Sequence, residues 1–493
     1  MFERVLTKTQ GKMATWTSII AVFGAVWIDL SQSSLLNQSH QRQCRCFPGD
    51  TCWPSSAEWD IFNKILRGNL IATVPIASPC HNTFPGANWA RPELHLATSH
   101  SPMDLVFANM SCDPFTPPDT QCVIGAYVSY AFNASGAEDY RATMAFAHKL
   151  DIRLVIRNMG HDYMGKLAGA GALALWTHHL KYMAILDYSS LVYTGKAMRN
   201  GAGDCPTVGI TGGFTQGGGI GPLGSTFGLA ADQVLDWEVV TANGELLTVT
   251  PSQNSDLYWA ITGGGGGTYA AVLSMMIVKL HLDMPTAGVT LSFTELSSET
   301  YWSIVKTFLK NLPSVLDEGA TSYWQVLPGN TFNMPQSYLL NKTAKTLEQL
   351  LQPTLKALEQ SGIQSAFSSR NYLSFQDAFY TMNPEMNIVE INLGGRLIPH
   401  SIVESDVSAA GLISSIRTII DSGGVLAGVS MNTSQPPTFA NSIPYDRTNM
   451  TANIIGQRTV TDVLTAALEA ASPGGAAYLN EADINQPHWQ ETL

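Results

Sequence analysis

A strand–helix–strand pattern at 122–157 constrains the fold of this 493-residue chain more than any other segment. The apolar run 122–130 is typical of a strand, and Ser135-Gly136-Ala137-Glu138 matches a helix capping box. Apolar residues then recur at helical spacing: Tyr140, Met144, Ala147 and Leu150. The alternation over 152–157 predicts a second strand. Two strands joined by one helix run parallel with a right-handed crossover, so an α/β domain is expected.

Two nucleophiles stand beside this unit. His161 follows the second strand in Arg157-Asn158-Met159-Gly160-His161-Asp162, where α/β sheets usually bind ligands. Cys205 opens a glycine-rich stretch in Asp204-Cys205-Pro206-Thr207-Val208-Gly209. Taken alone, a histidine such as His161 is more often a surface or hydrogen-bonded residue, and a cysteine such as Cys205 is more often a buried thiol. Together they suggest covalent flavin attachment, because a neutral imidazole can attack the flavin methyl position and a thiolate can attack its ring.

Two glycine clusters flank the same block: Gly212, Gly213, Gly217, Gly218 and Gly219, then the run 263–267. Backbone N–H groups in such loops can approach a pyrophosphate. Tight turns without a ligand would explain one cluster more readily than two. Gly219-x-Gly221-x-x-Gly224 matches the dinucleotide fingerprint only formally, since Pro222 lies inside it and no amphipathic helix follows. A nicotinamide site is therefore disfavoured.

Composition and the N-terminal quarter indicate the secretory pathway. Only 13% of residues are charged, and Asn-x-Ser/Thr sequons begin at Asn37, Asn109, Asn133, Asn341, Asn432 and Asn449. The apolar run 19–28 resembles a secretory signal too short to span a membrane, with Met13 an alternative start. A buried N-terminal helix is the competing interpretation. The net charge of −12 argues against nucleic acid and anionic membranes.

Six cysteines crowd the first quarter: Cys44, Cys46, Cys52, Cys80, Cys112 and Cys122. In a secreted protein they suggest disulfides whose pairing stays open. A zinc site at Cys44, Cys46 and Cys52 is the alternative, and it suits an oxidising compartment poorly. The His178-His179 pair has no spaced carboxylate partner, so no metal site is predicted.

Regular elements continue through the rest of the chain. A hairpin is expected over 235–250, with its turn at Asn243-Gly244. Further expected helices cover 298–312, 345–361, 405–422 and 459–471, and strands cover 320–327 and 387–393. The predicted segments are a signal (1–31), a Cys-rich entry (32–116), an α/β domain (117–283), an α+β domain (284–455) and a C-terminal return to the α/β domain (456–493).

The motifs resemble a known family. The segments around His161 and Cys205, Gly171-Ala172-Leu173-Ala174-Leu175-Trp176, and Tyr478-Leu479-Asn480-Glu481 are similar to the berberine-bridge-enzyme group of FAD-linked oxidases. This group belongs to the vanillyl-alcohol-oxidase superfamily. The entry motif Cys44-Arg45-Cys46-Phe47-Pro48-Gly49-Asp50 resembles its fungal branch of specialised metabolism.

The resemblance implies an α/β plus α+β fold, in which a PCMH-type FAD-binding domain of two subdomains carries a separate α+β substrate domain. It implies FAD bound covalently through His161 and, in bicovalent members, also through Cys205. The residues expected at the cofactor are Arg157, Asn158, Gly160, Asp162, Thr207, Gly209, Gly212, Gly213, Gly217 and Gly218. The substrate passes a hydride to flavin N5 and O2 reoxidises the flavin, releasing H2O2. The expected protein is a monomer that acts on a small molecule.

The same resemblance places Tyr478 and Asn480 near flavin and substrate. Glu481 stands where plant relatives have a tyrosine base, so the base is open between Tyr478, Glu481 and a group in the second domain. Oxidative cyclisation of an alkaloid of the chanoclavine type and alcohol oxidation are both compatible with these residues.

Two departures from the family concern the cofactor site. Between Gly203 and Cys205 the family has a further helix and strand, together roughly seventeen residues, and this chain has Asp204 alone. Losing that crossover exposes apolar surface and removes packing. The chain also ends at Leu493, where relatives continue. The alternatives are therefore an inactive product of a damaged or mis-spliced gene and a secreted, disulfide-rich binding protein without cofactor.

Overall fold

A computed structural model describes residues 44–75, 77–83, 112, 117–158, 160–162, 165–200, 208–278, 283–383, 394–434 and 460–483. The chain divides into two compact units, 1–45 and 46–493. All described helices and strands belong to the second unit, where the described residues form three sheets. These sheets confirm the α/β plus α+β fold class. The predicted domain limits stay a prediction.

The first sheet has the strand order β1-β2-β4-β3. Its strands and helices are α1 Ser56–Ile65, β1 Leu70–Ala72, β2 Tyr130–Asn133, α2 Ala137–Lys149, β3 Leu154–Arg157 and β4 Leu173–Trp176. β2 and β3 each pair parallel with β4, which lies between them and is buried along its whole length. Tyr140, Met144 and Ala147 of α2 pack against this sheet. The predicted parallel strand–helix–strand unit is confirmed.

The first strand of that unit begins later than the sequence indicates. The prediction over 122–130 is wrong except at its last residue, because β2 starts at Tyr130. Cys122 is bonded to Cys112, and a turn closes where Tyr127 N donates to Ile124 O at 3.0 Å. Gly125 in that turn has φ +53°, which extended backbone does not allow.

The capping box predicted at α2 names the wrong acidic residue, because Asp139 and not Glu138 accepts hydrogen bonds from Ser135. The helix begins after Gly136, and the carboxylate of Asp139 accepts from Ser135 N at 2.8 Å and from Ser135 Oγ at 2.7 Å. Asp139 also binds Arg67 at 2.7 Å. Glu138 points elsewhere and pairs with Arg141 at 2.5 Å. The helix start is therefore tied to the segment after α1.

A second five-stranded sheet has the order β5-β6-β9-β7-β8. Its elements are β5 Ala184–Ser189, β6 Thr194–Asn200, α3 Gly224–Phe227, β7 Val234–Val240, β8 Leu246–Val249, α4 Ser255–Ile261 and β9 Ala271–Val278. The hairpin of β7 and β8 is confirmed, and its turn residue Gly244 has φ +83°. Two π-helical turns, Ile210–Phe214 and Val460–Thr465, lie outside the sheets.

The third sheet is fully antiparallel, in the order β13-β10-β12-β11-β14. Its strands are β10 Thr286–Thr294, β11 Thr321–Leu327, β12 Thr331–Leu340, β13 Ser365–Tyr372 and β14 Leu426–Ser430. The helices are α5 Ser298–Asp317, α6 Ala344–Leu350, α7 Gln352–Gln360, α8 Phe375–Met382, α9 His400–Glu404, α10 Asp406–Asp421 and α11 Ala466–Ala471.

Two helix predictions in this region differ from the structure. α5 continues past 312 through Pro313 because Val315 and Leu316 keep the buried spacing of the helix. The helix expected over 345–361 is two helices that meet at Leu351, and Pro353 lies in the first turn of the second. The strand expected over 387–393 lies outside the described residues.

Ser225 in α3 ties the second sheet's connecting loop to the third sheet. Its hydroxyl donates to Ala320 O at 2.6 Å, accepts from Thr321 Oγ1 at 3.2 Å and accepts from Asn432 N at 2.9 Å. The loop after the first glycine cluster is thereby held against β11 and the residues that follow β14.

The cysteines are only partly paired. Cys46 is bonded to Cys52 and Cys112 to Cys122, while the described Cys44 and Cys80 are thiols. The zinc alternative is wrong, since two of its three cysteines form one disulfide. None of the described helices combines the length and the hydropathy that a membrane crossing needs.

The capping arrangement gives a direct test of this fold. An Asp139→Ala variant is expected to lose about 1–2 kcal/mol of stability, because the Ser135 amide and hydroxyl lose their acceptor. Glu138→Ala, the matched control, is expected to change stability by less than about 0.5 kcal/mol. Thermal unfolding of both variants measures this. An equal cost for both would support the capping box read from the sequence.

Candidate functional site

The loop that carries His161 leaves β3 and turns back on itself. Gly160 adopts φ +92°, and the carboxylate of Asp162 accepts from Lys166 N at 2.5 Å and from Leu167 N at 3.4 Å. His161 is half-buried, and burial lowers the pKa of its imidazole. The ring is therefore neutral at neutral pH, which is its nucleophilic form.

The residues before this loop anchor it to β4. Arg157 is buried at the end of β3, its carbonyl accepts from Thr177 N at 2.8 Å, and desolvation lowers the pKa of its guanidinium. The carbonyl of Asn158 accepts from Trp176 Nε1 at 3.2 Å. The Asn158 side chain lies against Gly212, where a Cβ would be 2.9 Å from Asn158 Nδ2. The His161 loop thus contacts the first glycine cluster.

Gln216 joins the two glycine clusters. Its buried side chain donates from Nε2 to Thr211 O at 2.9 Å and accepts at Oε1 from Gly267 N at 3.3 Å. Its main-chain carbonyl accepts from Gly263 N and Gly265 N, both at 2.9 Å. No pattern in the sequence marks this residue, because a single glutamine between glycine runs is not distinctive.

The two clusters touch backbone to backbone at one point. A Cβ at Gly266 would lie 2.7 Å from the Cα of Gly213. Among the described residues, no heavy atom lies within 4 Å of a Cβ placed at Gly213 itself. Gly209 precedes this turn and accepts from Gly212 N at 3.0 Å. The result is a glycine-lined cradle, open on the side of Gly213.

The second cluster also meets the far end of the His161 loop. A Cβ at Gly265 would lie 2.6 Å from Leu479 Cδ2 and 3.2 Å from Lys166 Nζ. Asn158 and Lys166 stand on either side of His161 in the sequence, and each contacts one glycine cluster. His161 is therefore held on a loop that bridges both clusters.

Tyr478 closes the site from the C-terminal segment. Its buried hydroxyl oxygen accepts from Gly219 N at 3.2 Å, from Ile220 N at 3.3 Å and from Asn480 Nδ2 at 2.7 Å. Desolvation and then the nearby charge of Glu481 raise the pKa of the phenol, and they outweigh these three donors. Tyr478 is therefore protonated at neutral pH and serves as a fixed structural link.

Asn480 packs against the first glycine cluster. Its amide donates to Phe214 O at 3.2 Å, and a Cβ at Gly217 would overlap its Oδ1. Gly218 follows with φ +113°, and its N–H donates to Thr215 O at 3.1 Å. These glycines are therefore required by close approach and by backbone conformation.

Glu481 differs from Tyr478 and Asn480 because its side chain has no hydrogen-bond partner among the described residues. Part of its surface is accessible, yet packing around the carboxyl group raises its pKa to about 7. Within the part of the chain that the structure describes, its carboxylate makes no hydrogen bond or ion pair. A carboxyl group with this pKa can gain or lose a proton near neutral pH, as a general base must.

The structure thus brings together most of the residues predicted for the site. They are Arg157, Asn158, Gly160, His161, Asp162, Gly209, Gly212, Gly213, Gly217, Gly218, Tyr478, Asn480 and Glu481. Cys205 and Thr207 lie outside the described residues. An apolar cavity of about 40 Å³ lies between α5, α10 and the third sheet, and no site residue lines it.

Comparison with known proteins finds fungal relatives by sequence and by structure. The chain is 40% identical to the FAD-linked oxidoreductase sor8 of Hypocrea jecorina, over 97% of this chain and 90% of sor8. It is 36% identical to the bifunctional decalin synthase calF of Penicillium decumbens, over 89% and 86%. The crystal structure of the VAO-type flavoprotein MtVAO615 from Myceliophthora thermophila superposes with a TM-score of 0.84 at 36% identity, over 91% and 92%. No family model matches the chain.

The alignment with sor8 also shows a difference in length. It spans 522 positions, more than the 493 residues of this chain. The relative therefore has residues within the aligned span that this chain lacks. The family resemblance predicts such a gap before Cys205, and 201–207 lies outside the described residues.

Glycine substitutions test the cradle. Gly217→Ala is expected to lower the melting temperature, because the new Cβ overlaps Asn480. Gly213→Ala is expected to keep the melting temperature of the cofactor-free protein but to lower the amount of flavin bound, because its methyl group enters the open cradle. Gly411→Ala, at an exposed position of α10 where no described residue lies within 4 Å of the new Cβ, is the control and should gain about 1 kcal/mol. Unchanged flavin content in Gly213→Ala would contradict the cradle.

Proposed function

The chain belongs to the fungal VAO-type FAD-linked oxidoreductases related to berberine bridge enzyme, and from that premise we propose that it oxidises a small-molecule intermediate of secondary metabolism with O2 as the final acceptor. The observation that carries the proposal is the convergence of the His161 loop, both glycine clusters and the Tyr478–Asn480 segment around Gly213. Neither a binding protein nor a structural protein needs a cradle without side chains beside a neutral histidine.

The residues present fit FAD. Among the described residues Gly213 is open on the side where a Cβ would stand, and Gly212 and Gly266 beside it also lack side chains, so an anionic pyrophosphate can approach the main chain closely. The hydroxyl of Thr215 is buried with no hydrogen-bond partner among the described residues, which leaves a polar group for a ligand. His161 is in its neutral form, as bond formation to the flavin requires.

The residues that would hold FAD have separate tasks. His161 would form the covalent bond, while Gly212, Gly213 and the 263–267 loop would line the pyrophosphate. Gln216 keeps the two loops at a fixed separation and has no need to touch the ligand. When bound, FAD supplies the hydride acceptor of the reaction. Cys205 is proposed as a second covalent anchor, as in bicovalent members of the family.

Glu481 is the group we assign as general base. Its pKa of about 7 lies close to the pH at which a base is most effective, whereas Tyr478 holds its proton. The Glu481 carboxylate takes the proton of a substrate O–H or N–H while the adjacent C–H bond loses its hydride. Tyr478 and Asn480 position the segment on which Glu481 lies.

The substrate class follows from this reaction, in which Glu481 takes a proton from a heteroatom and the carbon next to it loses a hydride. A carbon that bears an ionisable O–H or N–H is required, as in a secondary alcohol or an amine. The name of calF, a bifunctional decalin synthase, favours a substrate in which oxidation leads to ring formation. Alkaloid cyclisation of the chanoclavine type remains one member of this class, with no residue that selects it.

Secretion is proposed with the oxidase. Two disulfides suit an oxidising compartment. Of the sequons, Asn341 is exposed in a turn with φ +55° and its Nδ2 makes a hydrogen bond to Met284 Sδ at 3.6 Å, whereas Oδ1 of the less exposed Asn133 is bound to His179 Nδ1 at 2.9 Å. Asn341 is therefore the described sequon best placed for a glycan. The monomeric state stays a prediction.

An inactive product of a damaged gene is the second candidate, and the missing residues in the alignment favour it. The two candidates differ in cofactor content. An inactive chain that fails to assemble the cradle contains no flavin, whereas the oxidase contains one flavin per chain.

Covalent flavin distinguishes these candidates. Protein expressed through a secretory pathway is expected to keep its flavin absorbance in the pellet after acid precipitation, because the cofactor is bonded to the chain. His161→Ala is expected to release flavin into the supernatant, and His148→Ala, exposed at the end of α2, serves as the matched control. A colourless wild-type pellet would overturn the proposal.

The Glu481 carboxyl group gives a pH-dependent stability. Its pKa rises from 4.5 in the unfolded chain to about 7 on folding, so the folded protein binds the proton more tightly. The associated stability is fully present below pH about 4.5 and is lost as pH rises through about 7. We expect Glu481→Gln to melt like the wild type at pH 4.5 and at a higher temperature above pH 7.

Glu359→Gln, on the exposed surface of α7, is the control for this comparison and should show no pH-dependent difference. The same Glu481→Gln variant is expected to lose the rise in substrate oxidation between pH 6 and 8 that ionisation of a base with this pKa would give. A wild-type melting profile shared by both proteins at every pH would remove Glu481 as the base.

A further inference from the structure

Arg396, which lies before α9, is a buried arginine bonded to the turn that leads into the Tyr478–Glu481 segment. Its Nε donates to Ser472 Oγ at 3.1 Å, and its Nη2 donates to Ser472 O at 3.0 Å. Its Nη1 lies 3.6 Å from Glu469 Oε1, so the buried charge has a partner in the same C-terminal segment. A planar guanidinium that holds one residue through two donors fixes both the distance and the orientation of that residue.

Leu397, the next residue, extends this attachment along the chain. Its N–H donates to Ala476 O at 2.7 Å, and its side chain packs against Tyr478 in a small apolar cluster. A Cβ at Gly475 would lie 2.6 Å from Leu397 O, so there is no room for a side chain between the two chain segments. Hydrogen bonds, packing and close approach therefore hold these segments together.

Tyr478 connects this attachment to Glu481. Glu481 N donates to Tyr478 O at 3.0 Å, and the Tyr478 hydroxyl oxygen accepts from Asn480 Nδ2 at 2.7 Å. Packing that removes water is what raises the pKa of the Glu481 carboxyl group. The position of the Glu481 main chain, which sets that packing, is thus linked through Tyr478 to Arg396.

We propose that Arg396 is a positioning residue for the base, and that it fixes the turn at Ser472 so that Glu481 stays packed against the site. The inference rests on the proposed role of Glu481 and adds to it a residue from outside the C-terminal segment. Loss of the guanidinium frees the turn and lets water reach the Glu481 carboxyl group. The pKa of Glu481 then falls towards its ordinary value of 4.5. A direct charge contact would have the opposite sign, because removing a nearby cation raises the pKa of a carboxyl group.

Melting temperatures of the full-length protein test this role without a substrate. The quantity measured is the difference at pH 8 between a protein with Glu481 and the same protein with Glu481→Gln. The pKa of Glu481 in the folded state sets this difference, since glutamine has no charge to bury. In an Arg396→Met background the difference is expected to shrink to about half of the wild-type value or less, and to stay near zero at pH 4.5.

Arg417→Met is the matched control background. The Arg417 guanidinium also bonds a serine of another element, Ser298, and lies over the ring of Trp302. Its removal is expected to leave the Glu481-dependent difference at the wild-type value. An overall loss of stability alone therefore does not imitate the expected result.

Arg396→Lys is the conservative variant. It keeps the positive charge but has one ammonium group where two guanidinium nitrogens bond, so it is expected to restore part of the difference. It also decides the question if Arg396→Met does not fold. A difference at pH 8 that is unchanged or larger in the Arg396 backgrounds would overturn the positioning role. A wild-type protein without any difference would instead contradict Glu481 as the base, and the positioning role with it.

Discussion

The separation of the two glycine clusters depends on one buried glutamine, Gln216, which lies inside the first cluster. Gln216 bonds through its side chain to Thr211 and Gly267 and through its carbonyl to Gly263 and Gly265. Glycine backbone has more freedom to lose on folding than any other, so glycine-rich loops need additional hydrogen bonds to hold one geometry. Because Gln216 provides them, the contact of Gly213 with Gly266 and the open cradle beside it can persist.

The C-terminal segment also constrains the first glycine cluster, through a contact between residues far apart in the sequence. Asn480 bonds to Phe214 across 266 positions of sequence, and Gly217 has no room for a side chain beneath it. Closing this contact places Glu481 where packing removes water from its carboxyl group. The same approach that completes the cradle therefore tunes the proton affinity of the proposed base, and the two properties change together on mutation.

Local patterns in the sequence predict the elements well and the contacts between them poorly. The β7–β8 hairpin and the position of His161 after β3 follow from short-range spacing. The helix cap at Asp139 does not, because Gly136 rather than Ser135 is the N-cap residue, which shifts the acceptor by one residue. Six cysteines allow fifteen pairings, and only folding selects Cys46–Cys52 and Cys112–Cys122. Gln216 and the raised pKa of Glu481 depend on burial, which no local pattern reports.

The central claim is that this chain holds a flavin on His161 although it lacks residues that its relatives have. Peptide mapping of the purified protein by tandem mass spectrometry tests it most directly, because the mass of the peptide that contains His161 reports the bond. This peptide is expected to have the added mass of the flavin, and fragmentation is expected to assign that mass to the histidine. An unmodified His161 peptide in folded protein would contradict it.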